Sequence, residues 1–187
     1  MAIQSETRAA TRQALIDSFC TLYTIKPIEQ ITVQELTRKA GYNRCTFYEY
    51  YLDVFDLLKQ VEDEIISHFR EKIIVTIKSG NIAENFIASF TEMQNDMEAF
   101  AEVFLNDQNS AKFAGRLNTA MVPVFMEQFN ISVFDKNSIY AIEFYLAGVI
   151  SMVSRWLKNG RDLSVEELGG LIRSLLTKGI LGIFTEA

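Results

Sequence analysis

The chain has 187 residues, of which 49% are hydrophobic and 22% charged, a composition typical of a globular protein and not of a disordered one. Only 2 Pro and 9 Gly occur and Val/Thr-rich alternating stretches are missing, which argues against a β-sandwich or barrel. The net charge of −6 argues against a protein that coats nucleic acid, although residues 1–50 carry six basic and five acidic groups and therefore allow local contacts.

The first predicted element is an amphipathic helix with one apolar stripe at helical spacing. The stripe consists of Leu15, Ile16, Phe19, Cys20 and Tyr23. We expect the helix to end at Lys26-Pro27, because proline disfavours helical geometry in the residue before it.

Two short helices joined by a three-residue turn are predicted next. The first begins at Thr32, which together with Glu35 predicts a reciprocal capping box, and it ends at Gly41. The second begins with Asn43 as its cap.

A long helix capped by Asp53 and reaching about Lys78 leads into a larger helical region. The helices predicted there span 83–94, 97–105, 110–130, 137–158 and 164–184. Gly160 is expected to end the fourth of these in the left-handed conformation. Ser164 and Glu167 predict a second capping box at the start of the last. The fold class is therefore all-α, with a small N-terminal head and a larger helical body.

Residues that carry catalysis or bind metals are few and scattered. Cys20 and Cys45 lie 25 positions apart without a Cys/His cluster, and His68 is the single histidine, which excludes the usual zinc spacings. Neither a GxSxG nucleophile elbow nor a glycine-rich phosphate loop occurs. We therefore expect no catalytic residue, no metal, no cofactor and no enzymatic activity.

Long apolar segments are missing as well. The longest uncharged run, Phe144–Ser154, has 11 residues, whereas a membrane-spanning helix needs roughly 20. Charged residues interrupt every apolar stretch near the N-terminus, which is unlike a signal peptide. These features predict a soluble, cytoplasmic protein that does not associate with membranes.

The two short helices have the spacing of a helix-turn-helix over residues 32–51. In such a motif the first helix presents its amide end and the Thr32 hydroxyl to phosphate, while the second projects its first-turn side chains into the major groove. An ordinary helical hairpin has the same spacing, so the local sequence has to distinguish the two interpretations.

The segment ITVQELTRKAGYNRCTFYEYY resembles the DNA-binding signature of the TetR family of transcriptional regulators. A Thr-Val pair opens the first helix, an Ala-Gly pair closes it, and Thr-Phe-Tyr followed by an aromatic residue marks the recognition helix. The motif is fairly specific over residues 8–62, and residues 143–156 followed by Asn159-Gly160 look like a Firmicutes-type subgroup of C-terminal domains. The resemblance implies a DNA-binding domain at 1–62 and an effector-binding and dimerisation domain at 63–187.

Carried over by position, the resemblance also implies a set of DNA contacts. Phosphate contacts are expected from Thr32, Tyr48 and Tyr50. Asn43 is the expected helix cap and also an expected DNA-binding residue. The expected base-facing residues are Arg44, Cys45, Thr46 and Glu49. Phe47 and Tyr51 are expected to pack in the core. The packing partners are Leu15, Phe19 and Leu36.

Two positions depart from the family pattern. Cys45 stands where Gly, Ala or Pro is common, and Val54 stands where a lysine commonly grips phosphate. Loss of that lysine should weaken non-specific affinity and flatten its salt dependence. Alternative interpretations are a solvated surface role for Arg44 and a thiol switch at Cys45.

Phe and Met side chains recur at helical spacing in the larger region. For any single residue, a core position is the simplest interpretation, but the resemblance implies that some line a cavity for an apolar or aromatic effector. The candidate lining residues are Phe86, Phe90, Met93, Phe104, Met121, Phe125, Tyr145 and Met152. Candidate polar groups for orienting a ligand are Gln94, Asn118 and Tyr145.

The last two predicted helices are too apolar for the surface of a monomer. A second copy is the simplest cover and would form a four-helix interface. The predicted interface residues are Val149, Val153, Trp156, Leu168, Leu171, Ile172 and Leu175. Such a dimer would place two recognition helices about one DNA turn apart, on a palindromic operator.

Together these features predict a homodimeric DNA-binding transcriptional regulator. It is expected to be a repressor that a small apolar or aromatic effector releases from double-stranded DNA by favouring the state that does not fit the operator. One alternative is the same fold controlled by a partner protein, acting as an activator. A second alternative is a carrier of apolar ligands without affinity for DNA.

Overall fold

The computed structural model describes residues 2–78, 103–104 and 110–185, and every regular element within these ranges is helical. The predicted all-α class is thereby confirmed. The helix predicted at 83–94 lies outside the described residues, and of the helix predicted at 97–105 only residues 103 and 104 are described, both helical. The chain divides into two compact units, Met1–Ile65 and Ile66–Ala187, close to the boundary expected after residue 62.

The first unit contains a long helix followed by two short ones. Its elements are α1 (Ala2–Ile25), a 3-10 turn (Ile28–Gln30), α2 (Val33–Ala40) and α3 (Arg44–Tyr48), followed by α4 (Val54–Lys78), which begins here. As predicted, α1 ends just before Pro27. The predicted Asp53 cap is confirmed, because its carboxylate accepts a hydrogen bond of 2.8 Å from the Asp56 amide.

A dense apolar core supports these short helices. Its completely buried side chains come from α1, α2, α3 and α4: Leu15, Phe19, Leu36, Phe47 and Leu57. On α1, the predicted stripe faces this core, and the Phe19 and Tyr23 rings stack at 5.2 Å. Burial, and secondarily the charge of Asp17, raises the pKa of the Cys20 thiol to about 12. This thiol is therefore protonated and unreactive at neutral pH.

The second unit contains α5 (Ser110–Gln128), α6 (Lys136–Lys158) and α7 (Val165–Thr185) among its described residues. Helices α5 and α6 pack against each other, and α5 includes the exposed Pro123. The predicted final helix is interrupted at Gly179, whose φ of 69° and ψ of 176° are not helical. A conformation with this positive φ is available to glycine at little steric cost.

The α6–α7 connection is fixed by several specific contacts. Gly160 adopts the predicted left-handed conformation, with φ 71°. The Trp156 indole N–H donates a hydrogen bond of 2.7 Å to the Leu163 carbonyl. The second capping box is confirmed: the Ser164 amide donates to the Glu167 carboxylate (2.7 Å), and the Glu167 amide donates to the Ser164 hydroxyl (3.2 Å). Hydrogen bonds from Ser164 lower the pKa of Glu167.

We expect Trp156→Phe to lower the free energy of unfolding by about 2 kcal/mol. Phenylalanine retains packing against Leu168 and Ile172 but cannot donate to the Leu163 carbonyl. Urea unfolding followed by circular dichroism measures the change, with the exposed Arg155→Ala on the same helix as the control. An unfolding midpoint equal to that of the wild type would contradict an anchoring role for the indole.

By length and composition alone, α6 is long and apolar enough to cross a membrane, and it is the one helix among the described residues that meets this criterion. Its longest uncharged run is still only the 11 residues Phe144–Ser154. Only 17% of its most apolar 18-residue segment is buried. Within the described part of the chain, most of this apolar stretch of α6 is therefore not buried.

Candidate nucleic-acid interface

The α2–turn–α3 unit is held in shape by backbone geometry and two caps. The Thr32 hydroxyl accepts a hydrogen bond of 3.2 Å from the Glu35 amide. The second half of the predicted capping box is wrong, because the Glu35 carboxylate forms an ion pair with Lys26 instead of returning to Thr32. The turn begins at Gly41, whose φ of 79° is left-handed. After it, the Asn43 side chain accepts a 2.9 Å hydrogen bond from the Thr46 amide and so caps α3.

Helix α3 has a buried face and an exposed face. Phe47 has no accessible surface and Tyr51 is also buried, as predicted, and their rings lie 5.4 Å apart. Cys45 and Glu49 are exposed on the opposite side, and Arg44 is exposed at the first turn. The buried rings thus fix the helix on the core, while its first turn is exposed to solvent.

The predicted phosphate-contacting residues differ in their surroundings. Thr32 is exposed at the start of α2, and Tyr48 is 58% exposed with its ring edge-on to Phe47. Tyr50 is half-buried, and its hydroxyl donates a 3.4 Å hydrogen bond to the Arg8 carbonyl. The Arg8 guanidinium lies 5.9 Å from the centre of the Tyr50 ring. Tyr50 therefore connects the end of the motif to α1 and places the cation of Arg8 beside it.

The hydroxyl of Thr46 is engaged locally. It donates to the Asn43 side-chain oxygen at 3.3 Å, the same atom that accepts from the Thr46 amide. Thr46 and Asn43 therefore act first as a capping pair that fixes the start of α3. The predicted contact of Thr46 with a base would therefore use its methyl group or the hydroxyl oxygen as an acceptor.

Four exposed basic residues lie on and around the motif. Of the six basic residues in 1–50, Arg12 pairs with Glu64 and Lys26 with Glu35. Within the described part of the chain, the others form no ion pair: Arg8, Arg38, Lys39 and Arg44. Arg44 instead donates a hydrogen bond to the Gln34 side-chain oxygen. These four exposed cations provide positive charge for phosphate oxygens despite the acidic chain.

Sequence reasoning did not identify Gln34 and Arg8 as part of this site. Arg8 is 42 residues from Tyr50, and Gln34 is ten residues from Arg44 on a different helix. Their approach depends on the packing of α1, α2 and α3, which no local pattern encodes. Val54, which stands where the family commonly has a phosphate-binding lysine, is buried in the core. This position therefore adds no phosphate contact.

Tyr51 permits a test of the packing beneath the motif. Its hydroxyl is buried and has no hydrogen-bond partner among the described residues, and burial is the main reason that its pKa is raised to about 12. Below pH 10 this tyrosine is neutral in both the folded and the unfolded state. As pH rises from about 10 to about 12, the unfolded chain loses the proton first, so folding loses stability in this window.

We expect Tyr51→Phe to reduce that alkaline loss of stability and to change the stability at pH 7 by less than about 1 kcal/mol, because the variant removes a hydroxyl that gains no bond on folding. Urea unfolding at pH 7 and pH 10.5 provides the comparison. Equal losses in wild type and variant would contradict a raised Tyr51 pKa.

In the second unit, the candidate effector residues do not form one observed cavity. Phe86, Phe90, Met93 and the polar Gln94 lie outside the described residues. Phe104 and Met121 are completely buried, Phe125 stacks on Phe129 at 6.2 Å, and Met152 and Tyr145 pack against the Trp156 cluster. These placements fit the core interpretation for the described members.

In the described part of this unit, the Tyr145 hydroxyl, the Asn118 side-chain oxygen and the Ser154 hydroxyl are nevertheless buried without a partner. Burial raises the pKa of Tyr145 to about 12. An open groove of about 630 Å³ lies between α5 and α6. It is lined by Asn118, Thr119, Val122, Pro123, Tyr140, Glu143, Phe144 and Ala147. Of the two predicted polar residues that the structure describes, Asn118 lines this groove and Tyr145 does not.

The predicted dimer interface needs a correction. Trp156, Leu168 and Ile172 form a buried cluster within a single chain, against which Val149 and Val153 also pack. These three side chains have no surface left for a partner because α6 and α7 bury them against each other. Leu171 is exposed and Leu175 is half-buried. Among the described side chains of the two helices, the large exposed apolar ones are Tyr140, Phe144, Leu171 and Leu176.

Comparison with known proteins gives a consistent result. Residues 80–178, more than half of the chain, match a TetR-type family model described as a transcriptional regulator C-terminal region. No curated protein sequence matches significantly. Similar solved structures include the fatty acid degradation regulator FadR from Bacillus halodurans, with a TM-score of 0.67 and 16% identity over 91% of this chain and 96% of that one.

Two further structures have the same fold. A TetR transcriptional regulator from Streptococcus agalactiae 2603V has a TM-score of 0.65 and 17% identity, over 94% of this chain and 98% of its own. A TetR-family transcriptional regulator from Streptomyces coelicolor has a TM-score of 0.63 and 13% identity, over 95% of this chain and 83% of its own.

Proposed function

Because this chain belongs to the TetR family of transcriptional regulators, we propose that it is a homodimeric repressor that reads a palindromic operator through α3 and leaves it when a small apolar or aromatic molecule binds. The observation that carries the DNA-binding part is the exposed first turn of α3. Arg44 and Cys45 are exposed there, while Phe47 on the same short helix is fully buried in the core.

The arrangement of charge supports this role. Arg44 can donate two parallel hydrogen bonds to the major-groove edge of guanine, the most common specific protein–DNA contact. The exposed Arg8, Arg38 and Lys39 supply cations for phosphates. Because the position of the missing family lysine is occupied by the buried Val54, we expect a shallower salt dependence than that lysine would give.

The dimeric state is proposed from the uncovered apolar surface of α6. Phe144 is 84% exposed, and the small residues Ala147 and Gly148 follow it on the same exposed side of the helix. Leu171 and Leu176 add exposed apolar side chains on α7. An isologous interface would bury these surfaces, because the same patch meets itself across a two-fold axis.

An effector site in the second unit is proposed from its buried polar groups. The Tyr145 hydroxyl, protonated at neutral pH, can donate a hydrogen bond to a carboxylate or carbonyl of an otherwise apolar ligand. Long-chain fatty acids and aromatic acids are suitable first probes, since one protein with this fold is a fatty acid degradation regulator. A ligand that raises the melting temperature of the wild type but not of Tyr145→Phe would identify the site.

Fluorescence-anisotropy titration with DNA from upstream of the gene tests the proposed function. We expect saturable binding that falls with salt and is weakened about 10- to 100-fold in Arg44→Ala, the range expected for one bidentate base contact. Arg155→Ala, an exposed arginine of the second unit, is the matched control and should bind like the wild type. If the folded dimer binds this DNA no more tightly than random DNA at low salt, this DNA does not contain the operator. If the dimer also binds no duplex selected from random DNA more tightly than the rest, the proposal is overturned.

A further inference from the structure

Gln34 and Arg44 belong to different helices but are joined by a hydrogen bond. Gln34 is the second residue of α2, and Arg44 is the first residue of α3. A terminal nitrogen of the Arg44 guanidinium donates to the Gln34 side-chain oxygen, and both residues are exposed. The bond therefore lies on the surface that carries the proposed base contacts.

The two ends of this bond are attached to well-fixed backbone. The Thr32 cap orders the start of α2, and the Asn43 cap orders the start of α3. Between them, the Tyr42 amide donates a 2.9 Å hydrogen bond to the Thr37 carbonyl. The Gln34 oxygen consequently defines one direction for the guanidinium, which on a free arginine side chain would sample many rotamers.

The bond leaves the chemistry of base recognition available. A guanidinium has five N–H donors, and one of them is used by Gln34. Two parallel donors remain for guanine O6 and N7. Holding the group in place before binding lowers the ordering cost of the complex.

We propose that Gln34 is a positioning residue that determines base specificity through Arg44, so that the preference of α3 for guanine depends on a side chain of α2. This inference rests on the proposed DNA-binding function. It concerns discrimination between bases, not the overall affinity that phosphate contacts supply.

The test uses duplexes enriched from random DNA by the wild-type dimer. Each guanine of the enriched site is replaced in turn, and affinities are measured for the wild type, Arg44→Ala, Gln34→Ala and Gln34→Glu. The guanine that Arg44 reads is the one whose replacement no longer matters in Arg44→Ala. At that position, we expect Gln34→Ala to lose about 5- to 10-fold of the wild-type discrimination while its discrimination elsewhere is unchanged.

Gln34→Glu keeps an oxygen acceptor and should therefore retain discrimination at this position, even if its added negative charge weakens affinity for every duplex. Gln30→Ala removes another exposed glutamine and is the matched control. Wild-type discrimination in Gln34→Ala would overturn the inference alone. Enrichment of no sequence by the wild-type dimer would overturn the proposed function, and this inference with it.

Discussion

Phe47→Ala is expected to lower the free energy of unfolding of the N-terminal unit by about 3–5 kcal/mol, the range for truncating a fully buried phenylalanine. Phe47 has no accessible surface, and its ring contacts those of Tyr51 and Tyr48 at centroid distances of 5.4 and 5.5 Å. Helix α3 has only five residues and cannot be stable by itself. Loss of the Phe47 ring should therefore detach α3, the proposed recognition helix, from the core.

Urea unfolding followed by tyrosine fluorescence and circular dichroism measures this change. Tyr48→Ala is the matched control, because Tyr48 lies on the same helix but is 58% exposed, and it should cost less than about 1 kcal/mol. DNA affinity should fall in both variants, through unfolding in Phe47→Ala and through a lost phosphate contact in Tyr48→Ala. A Phe47→Ala protein as stable as the wild type would contradict the anchoring role of this ring.

Phe144→Glu is expected to convert the proposed dimer into a monomer at micromolar concentration. In a dimer formed through α6, this 84% exposed side chain would be buried near its own copy across the two-fold axis. Burying two unpaired carboxylates there costs several kcal/mol, and the apolar area of phenylalanine is lost as well. Because a palindromic operator is bound by both heads together, affinity for a full operator should fall much more than affinity for a half-site.

Sedimentation velocity measures the oligomeric state directly. Phe134→Glu provides the matched control, because Phe134 is 89% exposed but precedes α6. The control should remain a dimer. A dimeric Phe144→Glu protein would show that the interface lies elsewhere, and a monomeric wild type would contradict the proposed assembly.

Much of the fold could be predicted because helix ends are encoded locally. Thr32, Asn43, Asp53 and Ser164 all cap helices where the sequence places them, since a side-chain oxygen bonds an amide only two or three residues away. Gly160 likewise ends α6 in a left-handed conformation. The division of the final helix at Gly179 was not predicted, because a glycine inside a helical pattern is compatible with either outcome.

Features that depend on tertiary packing could not be predicted in the same way. Glu35 has the sequence position of a capping-box residue, yet its carboxylate pairs with Lys26, which α1 brings within reach. Trp156 is apolar and near the end of an apolar helix, but whether such a residue faces its own chain or a partner is decided by how α6 packs on α7. Periodicity identifies an apolar face without identifying what covers it.

The proposed effector-site residues show the same limit more strongly. Met and Phe stripes have the same spacing whether they fill a core or line a cavity, and the described members Phe104 and Met121 are buried like core residues. Asn118 and Tyr145 are more informative, because a buried polar atom without a partner costs free energy unless a ligand or water satisfies it. Polar residues within apolar stripes were therefore the better sequence signal for a ligand site.

Hydroxyl-radical footprinting of the saturated complex, on the duplex that the wild-type protein binds most tightly, tests the central claim most directly. A dimer that places one α3 in each of two successive major grooves predicts two protected half-sites about 10 base pairs apart on one face of the duplex. At a protein concentration that just saturates the wild-type complex, Arg44→Ala should give weaker protection, because its affinity is expected to be about 10- to 100-fold lower. Protection without a two-fold pattern, or no protection by the folded wild-type dimer, would contradict the account.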